Sequence, residues 1–415
     1  MRYSRAGGQG LSSKISVSRR HGVRAADAAE LKRHTRLSKG LLIALGVTAL
    51  AFILIWPGFL DLHVYRAGGY AWLHGIGLYS ERFPDLVPGM RLPFTYPPFA
   101  AIVFAPVWLL PWHVAKVLIT AISVLGLLAT TLAVSGRLYG RRSVAVVVGV
   151  GAAAAWAVFE PARQTISFGQ INLILMGLVA LDCLLPRTRW PRGLLIGLAT
   201  AIKLTPAVFV LYFLARKQYR AAAVTCGSFV GFGLFAWALA PSDTARYWFD
   251  SLLDPERIGG LAYAFNQNFR AVLYRLLPEG TFQTALWLTL VAVALALAWI
   301  GARRALAAGD QVGALLAIAV FGLLASPVSW SHHWVWIIPG AVVLVRLALR
   351  SGLGVRILVG LVLAVFAIGP HSHLPQTHDL ELRWTWWQHL LGSSYVLIGV
   401  VVLVLLALRR PADQH

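Results

Sequence analysis

Long apolar stretches recur along the chain from residue 40 onward and are separated by short polar segments. Most of them approach the ~20 residues that an α-helix needs to cross a bilayer. The apolar segments fall near 40–56, 97–111, 113–134, 143–159, 168–185, 193–215, 219–240, 281–303, 311–327, 334–349, 353–370 and 388–408. The sequence lacks the short alternating segments of a transmembrane barrel. The pattern therefore predicts an all-α polytopic membrane protein with about 10–12 transmembrane helices.

Basic residues mark one set of segment ends. Arg and Lys crowd residues 1–39 and the short connections 187–192, 216–220 and 303–304. Positive charge of this kind stays on the cytoplasmic side of a membrane. We therefore predict a plasma (inner) membrane protein with both termini cytoplasmic. The outer loops would be 57–95, 160–168, 241–275, 327–333 and 371–387.

Two segments do not fit simple alternation across the membrane. Residues 193–215 carry basic residues at both ends, and Lys203-Leu204-Thr205-Pro206 lies at their centre. Proline disrupts a helix interior, so the sequence predicts two half-helices here. A second break is expected at Leu110-Pro111-Trp112. Residues 61–75 follow Pro57-Gly58 and predict a short helix along the outer interface, with Val64, Tyr65, Trp72 and Leu73 toward lipid.

Composition adds the domain organisation. Only 13% of the residues are charged, against about a quarter in a soluble domain. We expect a basic, disordered cytoplasmic tail over 1–39, one transmembrane domain over 40–410, and a short cytoplasmic tail over 411–415. The net charge of +21 follows the positive-inside pattern, so we expect membrane lipid and no nucleic acid as its partner. Cys183 and Cys226 do not form a disulfide framework, and a structural role is expected for both.

Two charged side chains lie where charge is expensive. Asp61 directly follows the first apolar segment and could either cap a helix or carry chemistry. Lys203 lies inside the broken apolar segment 193–215. A lysine in such a position usually has a charged partner or an anionic ligand, and a half-helix terminus beside it would favour phosphate. Snorkelling is the alternative for Lys203, although its mid-segment position disfavours it.

Further polar side chains lie at the ends of apolar segments. Gln170 and Asn172 enter an apolar run, where amides either join helices or face a polar cavity. His332 and His333 follow Trp330 and could bind metal, phosphate or a sugar, or belong to an interfacial belt. Three more sites in or beside the predicted outer loops remain open on their own: Arg163, Tyr96 and the pair Asn266-Gln267.

The outer loop from residue 371 contains His371, His373, His378, Asp379 and Glu381. Their spacing matches no specific metal motif, so we expect no metal centre there. The sequence also lacks the Walker, Rossmann, HExxH and GxSxG patterns. Their absence argues against an ATPase, a dehydrogenase and the common hydrolases.

Six short motifs carry a family resemblance when they are taken in order. They are DLHVY at 61–65, LPFTYPPFA at 92–100, GQIN at 169–172, AIKLTP at 201–206, NQN at 266–268 and SPVSWSHHW at 326–334. Together they resemble glycosyltransferase family 87 of the GT-C superfamily. More narrowly, they resemble the actinobacterial polyprenyl-phosphate-mannose-dependent α-1,2-mannosyltransferases of phosphatidylinositol mannoside and lipoarabinomannan assembly. The resemblance covers residues 40 to 410.

The resemblance implies an inverting transfer of mannose from a polyprenyl-phosphate mannose donor to a glycolipid acceptor, outside the membrane and without a cofactor. Asp61 matches the acidic position after the first span and would be the general base. Lys203, Arg163, His332 and His333 would stabilise the phosphate leaving group. The remaining expected substrate contacts are hydrogen bonds from Gln170, Asn172, Asn266 and Gln267, and stacking by Tyr65, Tyr96 and Trp330.

Other functions remain compatible with the sequence. A transferase that uses a polyprenyl-phosphate arabinose donor would assign the same roles to the same residues. A lipid or sugar transporter would use Asp61 and Lys203 as substrate or coupling-ion sites. Transporters often have matching broken helices in two halves, and the breaks here are not symmetrically placed. A membrane scaffold would leave the polar groups of the outer loops unexplained.

Overall fold

The computed structural model describes residues 10–409 apart from 57, 88–89 and 254–258, and for 10–29 and 253 it describes the backbone alone. In this part of the chain the secondary structure is helical, and one isolated antiparallel bridge joins Asn266 to Trp330. The helices are α1 Gly10–Ile55, α2 Leu60–Leu73, α3 Pro98–Leu109, α4 Trp112–Leu138, α5 Arg142–Ala154, α6 Glu160–Phe168, α7 Asn172–Leu184, α8 Leu194–Ile202, α9 Val210–Ala215, α10 Tyr219–Leu239, α11 Pro241–Phe249, α12 Phe269–Leu276, α13 Thr281–Ala307, α14 Gln311–Ala325, α15 Ile337–Leu349, α16 Leu353–Ile368, α17 Trp386–Gly392 and α18 Ser394–Leu408.

The prediction of an all-α polytopic membrane protein is confirmed. Five helical segments among the described residues are long and apolar enough to span a bilayer: Glu30–Ile55, Trp112–Leu138, Tyr219–Leu239, Thr281–Ala307 and Ser331–Leu349. Two bent pairs, around α5–α6 and α17–α18, raise the number to seven if each is one span. Five further apolar helices have 10–17 residues, so the total of about 10–12 spans stays a prediction.

Both predicted breaks are present, and each coincides with a proline. Helix α3 ends at Leu109 and α4 begins at Trp112, with Pro111 between them. Helix α8 ends at Ile202, and the chain resumes as a 3₁₀ turn over Thr205–Phe209 before α9. A proline interrupts the helical hydrogen bonds but is tolerated where a new helix begins. Lys203 therefore directly follows the last residue of α8, and its side chain is not confined to the surface of the helix.

Helix α2 is present, but Val64 and Tyr65, two of the four side chains predicted to face lipid, are buried. Tyr65 is fully buried and Val64 is 7% exposed, because α2 packs against α3 rather than presenting these side chains to lipid. Gly69 allows the close approach: a Cβ there would lie 2.7 Å from the Phe104 carbonyl oxygen. Asp61 lies in the first turn of α2 and does not cap it, since the N-cap residue is Phe59.

The first helix begins within the segment 1–39, for which the sequence predicts a disordered tail. Helix α1 begins at Gly10, and Glu30 to Ile55 forms one continuous helix that is basic at its start and apolar beyond. The segment from Ala25 to Lys32 is rich in Ala, Leu, Glu and Lys, which favour helix, and it can extend the helix that the span has already nucleated. Residues 1–9 and the predicted tail 411–415 lie outside the described residues.

Candidate active site

A cavity of about 800 Å³ opens between α2, the segment 92–97, the α6–α7 connection, the break after α8 and the segment 326–333. Each of these elements ends or turns at the cavity, so loop residues and helix termini form its wall. Seven of the twelve predicted site residues line it: Asp61, Tyr96, Gln170, Lys203, Trp330, His332 and His333. Residues more than 270 positions apart in the sequence therefore meet at one site.

A buried hydrogen-bond network fixes the carboxylate of Asp61. Gln170 Nε2 donates to Asp61 Oδ1 at 2.7 Å and contacts the Tyr96 hydroxyl at 3.1 Å. The Tyr65 hydroxyl donates to Gln170 Oε1 at 2.8 Å and lies 3.1 Å from the Tyr96 hydroxyl. Tyr65 is thus behind the cavity wall rather than on it. Because the amide donates toward Asp61, the network favours the ionised carboxylate.

Burial raises the pKa of Asp61 from 3.8 to about 6. Desolvation is the largest cause, since it disfavours the charged carboxylate. The positive charge of Lys203 and the hydrogen bond from Gln170 oppose the rise. A carboxylate with a pKa near 6 is ionised at neutral pH and still basic enough to accept a proton.

Lys203 provides the cation of the cavity. Its Nζ donates to Asn172 Oδ1 at 3.1 Å and lies 3.0 Å from His333 Nε2. The same ammonium group is 5.6 Å from the centre of the Tyr96 ring. It has no salt bridge within the described residues, so its charge is available to an anion in the cavity.

Hydrogen bonds to its backbone hold the His332-His333 turn in place. The His332 carbonyl oxygen accepts hydrogen bonds from Thr165 Oγ1 at 2.9 Å and from Asn172 Nδ2 at 3.0 Å. Asn172 therefore joins Lys203 to this turn instead of lining the cavity itself. The His332 ring packs edge-on against Phe168 and His333, and its buried Nε2 has no hydrogen-bond partner among the residues that the structure describes. That nitrogen is an unused polar group at the cavity wall.

Three predicted substrate contacts have structural partners instead. The Arg163 guanidinium donates to the carbonyl oxygens of Ala157, Val158 and Ala367, so its donors are occupied away from the cavity. Asn266 and Gln267 are fully buried. Gln267 Nε2 donates to the carbonyls of Ala264 and Gly392, and Asn266 Oδ1 accepts from the Ser329 amide. These side chains shape the site without facing its interior.

Several further cavity residues escape sequence-based prediction. Tyr263 and Phe265 line the cavity beside Trp330, and Thr205 lines it beside Lys203. Their proximity to the NQN and AIKLTP motifs is the only signal in the sequence. An aromatic residue in an outer loop also fits an interfacial belt, so its type alone does not distinguish the two roles.

The histidine-rich loop has structural contacts. His371 is fully buried with Nε2 at 3.8 Å from Glu160 Oε1, and Glu381 Oε1 accepts from the amides of Ala264 and Thr377. Among the described residues, no three His, Cys, Asp or Glu side chains come together as metal ligands would.

Comparison with known proteins places this site in a family. The sequence profile of glycosyltransferase family 87 matches residues 94–327, which is more than half of the chain and includes the wall of the cavity from Phe94 to Pro327. The chain belongs to glycosyltransferase family 87. It is therefore a membrane glycosyltransferase, and the resemblance based on the six motifs is confirmed. The cavity is the candidate active site of this family 87 enzyme.

Named relatives align with most of the enzyme. It is 39% identical over 383 residues to the polyprenol-phosphate-mannose-dependent α-(1-2)-phosphatidylinositol mannoside mannosyltransferase of Mycobacterium tuberculosis, covering 88% of each chain. The protein of the same name from Mycolicibacterium smegmatis is 39% identical and covers 86% of each chain. A phosphatidylinositol pentamannoside mannosyltransferase from Mycolicibacterium smegmatis is 37% identical, over 91% of this chain and 93% of its own. No solved structure matches the family 87 enzyme.

Proposed function

We propose that this enzyme transfers mannose from a polyprenyl-phosphate mannose donor to a phosphatidylinositol mannoside acceptor, with inversion to an α-1,2 linkage. The single observation that carries the proposal is the meeting of Asp61 and Lys203 on the wall of one cavity. A carboxylate and a cation on the same cavity suit a displacement that must remove a proton and release a phosphate. The relatives' donor and acceptor support this choice of substrates.

The reaction is a single in-line displacement. Asp61 takes the proton from the acceptor 2-hydroxyl, and the hydroxyl oxygen attacks C1 of the donor mannose. The C1–O bond to phosphate breaks, and its electron pair leaves with the polyprenyl phosphate. Because attack and departure occur on opposite faces of C1, a β-linked donor gives an α-linked product. The hydrogen bond from Gln170 orients the carboxylate for proton removal.

The leaving phosphate gains negative charge during the displacement. Lys203, held between Asn172 and His333 at the end of α8, supplies a positioned positive charge for it. The Nε2 of His332, which is unpartnered within the described part of the chain, offers a further hydrogen-bonding group at the same wall. Arg163 is left out of the proposed site because backbone carbonyls occupy its donors.

We further propose that the cavity faces the outer side of the membrane. The basic connections 187–192, 216–220 and 303–304 lie on the opposite set of helix ends from the cavity loops. The positive-inside rule then places the cavity outside and both termini in the cytoplasm. A lipid-linked donor is compatible with this orientation, and the sequence carries neither the Walker motif nor the Rossmann G-x-G-x-x-G motif.

A reconstituted transfer assay tests the proposed function. Purified enzyme in detergent would be given polyprenyl-phosphate mannose, the corresponding arabinose donor or a nucleotide-linked mannose, each with a panel of phosphatidylinositol mannosides. We expect one mannose to be added from the polyprenyl donor alone, with an α-1,2 linkage by NMR. Transfer from the arabinose donor, or from the nucleotide sugar, would contradict the proposal. A panel resolved by acceptor length also separates the two acceptors found among the relatives.

A further inference from the structure

Three aromatic side chains form a continuous wall of the cavity. Tyr263 and Phe265 stack with ring centres 5.2 Å apart, and Trp330 meets Tyr263 edge-on at 5.8 Å. All three line the cavity and keep part of their surface exposed to it. We call Tyr263, Phe265 and Trp330 the aromatic platform.

Three aromatic side chains elsewhere in the cavity lining are buried. Phe94 is 1% exposed, and Tyr79 and Tyr247 are each 4% exposed, because these rings pack on one another. They therefore belong to a hydrophobic core cluster beside the cavity. The partly exposed aromatic rings of the cavity are Phe168 and the three of the aromatic platform, which are grouped together.

Buried polar groups fix the loop that carries Tyr263 and Phe265. Arg275, 4% exposed, donates to the carbonyl oxygens of Ala262, Tyr263 and Asn266. Glu381, 1% exposed, accepts from the Ala264 amide at 3.0 Å. Arg275 and Glu381 are thus both buried beside one short loop. Burying these two charges costs free energy unless the loop satisfies their hydrogen bonds.

The same loop is paired with the segment that carries Trp330. The backbone amide of Gln267 donates to the Ser329 carbonyl at 2.7 Å, and the backbone amide of Ser331 donates to the Phe265 carbonyl at 2.7 Å. The two backbones form an antiparallel bridge at Asn266 and Trp330. This pairing sets the spacing of the three rings, so the platform is rigid before any ligand arrives.

We propose that the aromatic platform binds the C–H face of a hexose ring of the substrates, an inference that rests on the proposed mannosyl transfer. An aromatic face carries partial negative charge, and the ring hydrogens of a sugar carry partial positive charge. Three partly exposed rings, two stacked and the third edge-on to them, offer such surfaces on the same cavity as Asp61 and Lys203. Neutral sugar is then held without using the two charged groups that act on the hydroxyl and the phosphate.

The hexose has two sources, the donor mannose and the acceptor glycan. Kinetics of Tyr263→Leu, Phe265→Leu and Trp330→Leu distinguish them. We expect the KM for one substrate to rise about five- to tenfold in each variant, with the Kd change that loss of one aromatic contact produces. A rise confined to the acceptor assigns the platform to the glycan, and a rise confined to the donor assigns it to the transferred mannose.

Matched variants separate stacking from folding. Tyr263→Phe keeps the ring face, so its KM should rise less than that of Tyr263→Leu. Trp386→Leu removes a tryptophan that is 75% exposed and does not line the cavity, and it should leave KM unchanged. Wild-type KM values for both substrates in all three platform variants would overturn the inference. A rise in KM that depends on the length of the polyprenyl chain would also overturn it, because the rings would then contact the lipid tail.

A binding measurement distinguishes this inference from the proposed function. Saturation-transfer NMR of the enzyme with methyl α-mannopyranoside, which has no lipid and no phosphate, requires no turnover. We expect the strongest signals on the hydrogens of one sugar face, retained in Asp61→Asn and lost in Trp330→Leu. Such signals without any transfer by the wild type would overturn the proposed function and keep the platform. Transfer with no Trp330-dependent signal would keep the proposed function and overturn the sugar-binding role of the platform.

Discussion

Gln170 is the residue that joins the chemistry of the site to its support. Its amide nitrogen donates hydrogen bonds to Asp61 and Tyr96, and its amide oxygen accepts one from Tyr65. One orientation of the side chain therefore satisfies all three neighbours. The two tyrosines are buried with it. A general base held by such a network loses less entropy on reaching the reactive geometry. This explains physically why an amide enters an apolar stretch at residue 170.

The pH dependence of the rate follows from the pKa of Asp61. Burial raises that pKa to about 6, and a general base must be ionised. We therefore expect kcat to be constant above about pH 7 and to fall about tenfold for each pH unit below about 6. Initial rates measured from about pH 4.5 to about pH 8 test this. A rate that rises as the pH falls would contradict the assignment.

Removing the positive charge of Lys203 tests the leaving-group role. Lys203→Gln should lower kcat by about 10²–10³, the range found for loss of one preorganised electrostatic partner. It should also move the midpoint of the pH profile upward, because Lys203 opposes the rise in the pKa of Asp61.

Lys116 provides a matched control for this substitution. Its ammonium group lies 5.5 Å from the Phe59 ring, as that of Lys203 lies 5.6 Å from Tyr96, but Lys116 does not line the cavity. Lys116→Gln should therefore keep the wild-type rate and pH profile. Equal losses in both variants would indicate a general effect of charge, and not a role in the cavity.

At the scale of elements, Glu160 connects three parts of the fold. It begins α6 and is 3% exposed. Ser331 Oγ donates to its Oε1 at 2.7 Å, and the Tyr395 hydroxyl donates to its Oε2 at 2.8 Å. Through these bonds α6 and α18 hold the start of the His332-His333 turn.

Glu160→Ala should destabilise the enzyme. The substitution leaves the buried hydroxyls of Ser331 and Tyr395 without an acceptor, at a cost of about 1–3 kcal/mol for each. Tyr395→Phe removes one of these hydrogen bonds together with its donor, so it should lower the melting temperature less. Melting in detergent, followed by intrinsic fluorescence, measures both. A Glu160→Ala protein as stable as the wild type would show that Glu160 is not a structural support.

The elements that the sequence predicts well are those with a local cause. The apolar segments and the breaks at Pro111 and Pro206 follow from hydropathy and from the missing proline amide. The buried side of α2 is not predictable in this way. Val64 and Tyr65 are apolar enough for either lipid or protein, and only the packing of α3 decides between them.

The residues of the candidate site also fall into those that the sequence alone indicates and those that depend on long-range contacts. Asp61, Lys203 and Gln170 stand out in the sequence because charge and amide groups are expensive in apolar surroundings. Asn266 and Gln267 also stand out, yet they are fully buried and bond to backbone. The aromatic platform gives no such signal at residues 263 and 265. Their part in the cavity depends on the pairing of 265–267 with 329–331, which is a long-range contact.

At the scale of the whole molecule, the proposed orientation is open to a labelling test. Cys226 is exposed and Cys183 is buried, so Cys226→Ser gives a background without an accessible thiol. In that background, Arg82→Cys lies in the loop beside the cavity and Arg189→Cys lies in a basic connection, and both positions are exposed. A membrane-impermeant maleimide on intact cells should label Arg82→Cys alone. Permeabilised cells should show both, and labelling of Arg189→Cys in intact cells would reverse the proposed topology.

The central claim is that Asp61 is the base of a polyprenyl-phosphate-mannose-dependent transfer. The most direct measurement is the transfer of mannose to phosphatidylinositol mannosides by wild type and Asp61→Asn, purified in the same detergent and matched for melting temperature. We predict that the wild type adds one α-1,2-linked mannose and that the rate of Asp61→Asn is lower by a factor of about 10²–10⁴. An Asp61→Asn enzyme that keeps most of the wild-type rate would contradict the account.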